Sequence, residues 1–453
     1  MADAIEAFAE HVVVTDWDDL PDAAITAAKI FILDSFGVGM AGTGGPYVKE
    51  WIDGFAGLVP GTQARVWGYD QTLAAPAAAA VNGYFIHNSE YDCVHEKAVI
   101  HPMTVILSAT MAYADAIGGV SGKDLIMASV LGVDTACNLG VACKSGLRFF
   151  RPATAGAFAA VAGIGKVRGF DRQTLVNAFG LGYGQLCGTM QPHTEGSPLL
   201  GMQIGFNARN AVVACDMAGQ GIPGIEGVLE GPFGYFGMIE TEWDLAPVLD
   251  SMGKTWRITE VAHKPFPSGR ATHGMIDALL ELKSEHGFEA SDVAAVRAAI
   301  PPLTHHLVGR PIHDEMESNY ARLNGQYTIA SALITGGVAI EDFKLSNCRD
   351  PERVALGRKV QIEIDGNPDP NALTPIKVEI ELTDGRKFER GQEIVYGNPA
   401  KPMTREAHLG KFRRNWAAAA NPVAAENAER MIELVDNLES LDDVRTLIDC
   451  MMP

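Results

Sequence analysis

The chain has 453 residues, 47% of them hydrophobic and 20% charged, with a formal net charge of −20 at pH 7. That length admits roughly two or three domains, and a core large enough to stand without staples. The negative charge disfavours nucleic acid and anionic membrane surfaces as partners, whereas a small anionic substrate stays open because a few buried cations can dominate a pocket.

The N-terminal MADAIEAFAEHVV carries acids and no basic region, so no signal peptide is expected. Asp19–Gly45 has apolar positions at helical spacing and ends in AGTGG, a helix stop. Ala74–Asn88 and Pro102–Ile117 are apolar almost all round, the pattern of buried helices. Ser121–Leu139 opens on Ser-Gly-Lys-Asp, and Pro152–Lys166 and Phe206–Gly219 continue the helical series. Thr174–Thr194 is uncharged, but polar residues and glycines interrupt it, so it falls short of the ~20 predominantly apolar residues of a membrane span.

The character changes near Trp256. Ile258–Ala262 and Val293–Pro301 read as strands, with a helix over Thr272–His286 between them. Val360–Asp365, Ile376–Leu382 and Lys387–Val395 alternate like strands, and Asp384-Gly385 marks a hairpin. From Thr404 the pattern is helical again. The expected fold is mainly α: a large all-helical domain from residues 1–257 and 396–453, with an inserted α+β domain at 258–395. Seven scattered cysteines without a CxxC pair indicate reduced, cytoplasmic usage rather than a disulfide framework or zinc finger.

The densest chemistry lies in Asn82–Pro102, which holds His87, Glu90, Asp92, His95, Glu96, Lys97 and His101 between two apolar helices. Burial and mutual charge there would shift pKa values as acid–base chemistry requires; the competing reading is a solvated polar loop. A metal-dependent hydrolase on Asp92, His95 and His101 is a further alternative, but the two histidines four apart of a helix-borne zinc site are missing, and no metal is expected. In His263–His273, Lys264 and Arg270 flank a helix start near Ala271, an arrangement suited to a carboxylate or to a plain domain-boundary turn. Lys144, Arg148 and Arg151 form either an anion-binding wall or a solvated surface. His305, His306 and His313 read as structural or peripheral, and Gln191-Pro-His193 sits in a Gly-rich turn that could line a pocket. No GxSxG elbow is present, Gly118–Asp124 lacks the Ser/Thr of a P-loop, and Phe179–Gly188 follows a helix rather than a strand, against dinucleotide binding.

With those residues in view the chain resembles the MmgE/PrpD family. The resemblance runs in order through ILDSFGVGMAG, ARVWGYDQTLAAPAAAAVNGYFIHNSEYDCVHEKAVIHP, SGKDLIMASVLGVD, RGFDRQTLVNAFGLGYGQLCG, VLEGPFGYFG, KPFPSGRATHGMIDALLEL and KFRRNWA. It implies an all-helical domain with a smaller α/β lid, a homodimer, no cofactor and a site between the domains. By motif it assigns catalytic roles to Glu90, Asp92, His101, Lys264, His273 and Tyr327; His95, Arg151, Gln203 and Arg270 are expected beside them as substrate contacts. Phe150 stands where the family commonly has a histidine, and Leu200-Gly201-Met202-Gln203 where it commonly has a Lys and a His. Those losses point to a less highly charged substrate. The expected activity is a lyase on a small carboxylate by α-proton abstraction, first a 2-methylcitrate dehydratase-like dehydration. His101 or His273 would be the base, and Lys264, Arg270 and Arg151 the carboxylate and enolate contacts. Epimerisation, decarboxylation and a degenerate ligand-binding member remain alternatives.

Overall fold

The computed structural model describes residues 3–453. Helices fill its first half. Ser121 caps the Gly122–Ala142 helix, its side chain accepting from the Asp124 amide while Asp124 reaches back to the Ser121 amide. Proline occupies the first turn of Ala75–His87, Pro102–Ile117 and Arg151–Val167, where no intrahelical N–H is lost. Small residues set the spacing between these helices. A Cβ on Gly205 would fall 2.3 Å from the Ala80 carbonyl oxygen, so glycine lets Leu199–Gly219 lie against Ala75–His87. Asp22–Gly42 and Gly122–Ala142 are long and apolar enough to cross a membrane, but 67% and 94% of their apolar windows are buried inside the protein.

A four-stranded sheet forms in the second half, ordered Val360–Ile364, Val293–Ile300, Ile376–Leu382, Lys387–Gln392. The second of these pairs parallel to the first and antiparallel to the third, and Gly385 at φ 89° turns the closing hairpin. Arg270–His286 packs across the sheet. The protein is thus a helical domain with a smaller α/β domain. One core draws on residues up to Val261, on Leu323, and again on Phe412–Met451; the other draws on Ala271–Leu382.

Two strands expected from the pattern change. Ile258–Ala262 is a 3₁₀ turn at Arg257–Glu260, with only Ala262 bridging to Val94. Arg257 explains this: its amide donates to Asp134 (2.7 Å) and its guanidinium to Asn138 (2.7 Å), anchoring the segment to a helix rather than a ladder. The last strand ends at Gln392, because the Val395 and Tyr396 carbonyls turn to accept from Arg270. The helix expected at Phe206 begins earlier, at Leu199.

Candidate active site

The polar stretch between the Ala75–His87 and Pro102–Ile117 helices is mostly buried, with Lys97 exposed and Glu96, Val99 and His101 half-buried. Its backbone is held in an unusual shape: Glu90 and Val99 have φ of 52° and 54°, a region that costs a β-branched residue in particular. Three buried cations from distant segments clamp three successive carbonyls. Arg322 donates to Ser89 (2.9 Å), Lys264 to Glu90 (3.1 Å) and Lys411 to Tyr91 (2.9 Å). The strained loop is therefore fixed by the α/β domain, the inter-domain segment and the C-terminal helical return together.

Asp92 is the hub of this loop. Its Oδ2 accepts from Thr104 (2.7 Å) and from His87 Nδ1 (2.9 Å), and lies 3.3 Å from His101 Nδ1. Burial alone would raise its carboxyl pKa, but His101 and His87 hold it well below the usual range. Glu90 sits 3.0 Å from Lys264 and 3.5 Å from His87 Nε2. Burial works against its charge as well, yet Lys264 and the two histidines bring it down to about 2. His87 is disfavoured as a cation by burial, but Asp92 and Glu90 raise it above the ordinary imidazole value. His101 is lowered, since burial and Lys264 outweigh Asp92. His101 Nδ1 faces the ionised Asp92 at 3.3 Å without hydrogen-bond geometry; because the carboxylate only accepts, it favours the Nδ1–H tautomer, which keeps a lone pair on Nε2. The His101 side chain is 13% exposed against 1% or less for Asp92 and His87, so it is the member of the trio that a ligand can reach.

His101 and Glu90 open onto a cavity of about 60 Å³ between the two cores. Its remaining wall is largely apolar, with Val99, Phe150, Met190 and Leu200 from the helical side and Leu307 and Leu323 from the α/β side. Glu90, Leu200 and Leu323 also line a narrow passage with Ser197, Pro198 and Asn319. Ser197, Pro198 and Asn319 also line a surface cleft of about 920 Å³.

Several residues expected at the site are engaged elsewhere. His95 bonds Glu260 (2.9 Å) and accepts the Ala98 amide (3.1 Å), so the trio Asp92, His95, His101 is not assembled. Arg151 is buried on Glu240 and the Ala98 carbonyl. Gln203 spends both ends of its amide on the Thr189 backbone. Arg270 gives its guanidinium to Glu96 (2.7 Å) and to the carbonyls of His263, Val395 and Tyr396. All four are engaged within the protein, and of them Arg270 also lines the cavity. His273 has Arg270 at Nδ1 (3.3 Å) and the Ser268 carbonyl at Nε2 (3.1 Å). Arginine only donates, so both nitrogens are used and His273 has no free lone pair for a base. Tyr327 donates to the Asp342 carbonyl within the α/β core. Of the six residues expected to be catalytic, the structure gathers Glu90, Asp92, His101 and Lys264.

Three residues outside that expectation join them: His87, His193 and Arg322. His87 lay within the polar stretch and His193 in the turn noted for a pocket, but Arg322 carries no local signal. Arg310 and Arg322 have no acidic partner within 4 Å among the described residues, unlike Arg151 and Arg270. Ligand atoms of His87, Asp92 and His101 lie within 4.8 Å of one another, close enough to suggest a metal. The donor set opposes a cation there. Asp92 Oδ2 is already taken by hydrogen-bond donors, and the Lys264 ammonium stands 3.8 Å from Oδ1.

A helical domain with a buried carboxylate–histidine group, closed by an α/β domain across a shared cavity, defines a two-domain protein with one acid–base site. The chain belongs to the MmgE/PrpD family: residues 6–247 match the MmgE/PrpD N-terminal domain and residues 266–439 the MmgE/PrpD C-terminal domain. Among curated relatives it is 28% identical to a cis-aconitate decarboxylase of Mus musculus, over 98% of this chain and 92% of that protein. It is 27% identical to one of Homo sapiens (98% and 93%) and 26% identical to one of Aspergillus terreus (96% and 93%).

Proposed function

We propose that this protein is a lyase of small carboxylates in which His101 carries the proton of a carbanion-like intermediate. The observation that supports it is the pairing of His101 Nδ1 with an ionised, buried Asp92 while the ring faces the inter-domain cavity. Asp92 fixes the tautomer and stabilises the imidazolium that forms. Lys264 and the clamped Glu90 keep charge fixed around the reacting region.

Decarboxylation stands first, because the relatives carry that activity in their names. In it the C–CO₂⁻ bond breaks, its electron pair passes to carbon as CO₂ leaves, and His101, first protonated from solvent, delivers that proton to the carbon. Dehydration is the second reading, and the lowered proton affinity of His101 favours it. A resting neutral imidazole takes the proton α to the carboxylate, and the electron pair left on carbon expels the β-hydroxide, which is protonated to water. The wall formed by Phe150, Met190 and Leu200 suits a substrate with an apolar portion and fewer carboxylates than a tricarboxylate.

Proton NMR of the protein with cis-aconitate, citrate, 2-methylcitrate and simpler mono- and dicarboxylates tests the proposal. Loss of a substrate signal with release of CO₂ assigns decarboxylation, and a new vinyl signal without CO₂ assigns dehydration. Folded protein that converts none of them would remove the lyase reading.

A further inference from the structure

The cavity has a second histidine with the opposite hydrogen-bond polarity. His193 lies in the short helix Gln191–Glu195, is 5% exposed and lines the cavity. Its Nδ1 is 3.2 Å from Arg310 Nη2. A guanidinium has no acceptor atom and cannot lose a proton in this setting, so Nδ1 must be the acceptor. A neutral imidazole carries one proton, and here it must sit on Nε2. That Nε2 is buried and has no partner among the described residues. The groups that would protonate or deprotonate the ring are few. Burial first, then Arg310 and His306, lower its pKa to about 3, and Glu90 alone opposes them. His306 stacks nearly parallel to it at 6.4 Å. Arg310 is itself held by the Leu307 carbonyl (3.4 Å) and lies over the Tyr320 ring, 5.0 Å from its centre.

Resting on the lyase reading of this same cavity, we infer that His193 is a neutral hydrogen-bond donor, locked by Arg310, whose Nε2–H binds a carboxylate oxygen of the substrate or the oxyanion that develops on it. The cavity then divides its two histidines by tautomer. An acceptor at Nδ1 of His101 leaves a base at Nε2, and a donor at Nδ1 of His193 leaves a donor at Nε2. A neutral donor stabilises developing negative charge without adding a second cation to the one already at Arg310.

The test uses full-length protein with ¹⁵N-labelled histidine, the His193 signals being identified by their loss in His193→Gln. Expected are an Nε2–H tautomer that does not titrate between pH 8 and 5, and a shift of the Nε2 signal on adding cis-aconitate or crotonate as carboxylate probes. Arg310→Met should free the ring to exchange tautomers and to titrate. Affinity for the probe should fall roughly tenfold or more in His193→Leu, the loss expected for a hydrogen bond to a charged group. His193→Gln, which keeps an N–H donor, should recover part of it. An Nδ1–H tautomer in the wild type, or probe binding in His193→Leu equal to wild type, overturns the inference. Tautomer and probe binding are read without turnover, so a failure of the lyase reading would show separately in the substrate assay.

Discussion

Two clusters of buried carboxylate, histidine and lysine grip the same loop, and the first of them lines the inter-domain cavity while the second does not. The first joins His87, Glu90, Asp92, His101 and Lys264. The second joins Asp34, His263, His408 and Lys411. They are built from nearly the same residue types, and both pass the distance criterion of a metal site. At Asp92 two imidazole nitrogens stand within 3.3 Å of one oxygen, so the carboxylate polarises them. At Asp34 the Lys411 ammonium stands closest, at 2.8 Å, with His408 Nε2 4.0 Å away. Burial there leaves the histidines neutral, bringing His263 to about 3 and His408 to about 4. His263 packs between the rings of Phe31 and His408, at 4.8 Å from each. None of the second group lines the cavity. Residue composition does not separate a reaction site from a buried brace. Ring access and the closest partner of the carboxylate do.

The sharpest way to break this comparison is to change one histidine in each cluster. His101→Asn should lower turnover by ~10²–10⁴-fold, the usual contribution of a positioned proton carrier, without unfolding the protein. His408→Asn should leave the rate little changed. The lysines should behave differently from the histidines, because each leaves a buried carboxylate uncompensated. Lys264→Met and Lys411→Met should each destabilise by about 3–5 kcal/mol in denaturant unfolding. Lys264→Met should also lose activity in whatever protein remains folded.

Two pH effects sharpen the contrast further. If His101 removes a proton, kcat/KM rises with pH through a value below 6.5 and then levels; if it donates the proton of a decarboxylation, kcat/KM falls through that value. The smallest expected effect concerns His408. Unfolded, it takes a proton as pH drops below 6.5, but folded it does so only near 4, so stability declines as pH falls across that window. His408→Asn should flatten Tm against pH between 6.5 and 4.

Much of the first cluster was legible because its members are close in sequence. His87, Glu90, Asp92 and His101 fall on one loop and its two flanking helix ends, where local spacing already brings them together. The helices were legible from small-residue runs and proline starts, and the closing hairpin from Asp384-Gly385. What could not be read was how each cation is neutralised. Arg151 meets Glu240 and Arg270 meets Glu96, 89 and 174 positions away, so both resembled free substrate contacts until the fold supplied their acids. The reverse holds for Arg310 and Arg322. Nothing local marks them, and they matter because the fold brings no acid to them. The strand expected at Ile258–Ala262 failed for a related reason, since Asp134 and Asn138 of a distant helix capture Arg257 and bend the segment.

Deuterium transfer tests the central claim most directly, and it can be followed by proton NMR in D₂O with the carboxylate that the substrate panel identifies. The account predicts that wild-type protein places deuterium at the carbon that loses CO₂ or, for dehydration followed in the hydration direction, at the carbon α to the retained carboxylate, and that His101→Asn slows this by ~10²-fold or more while His408→Asn does not. Deuterium transfer at the wild-type rate in His101→Asn would contradict it, as would equal losses in both variants.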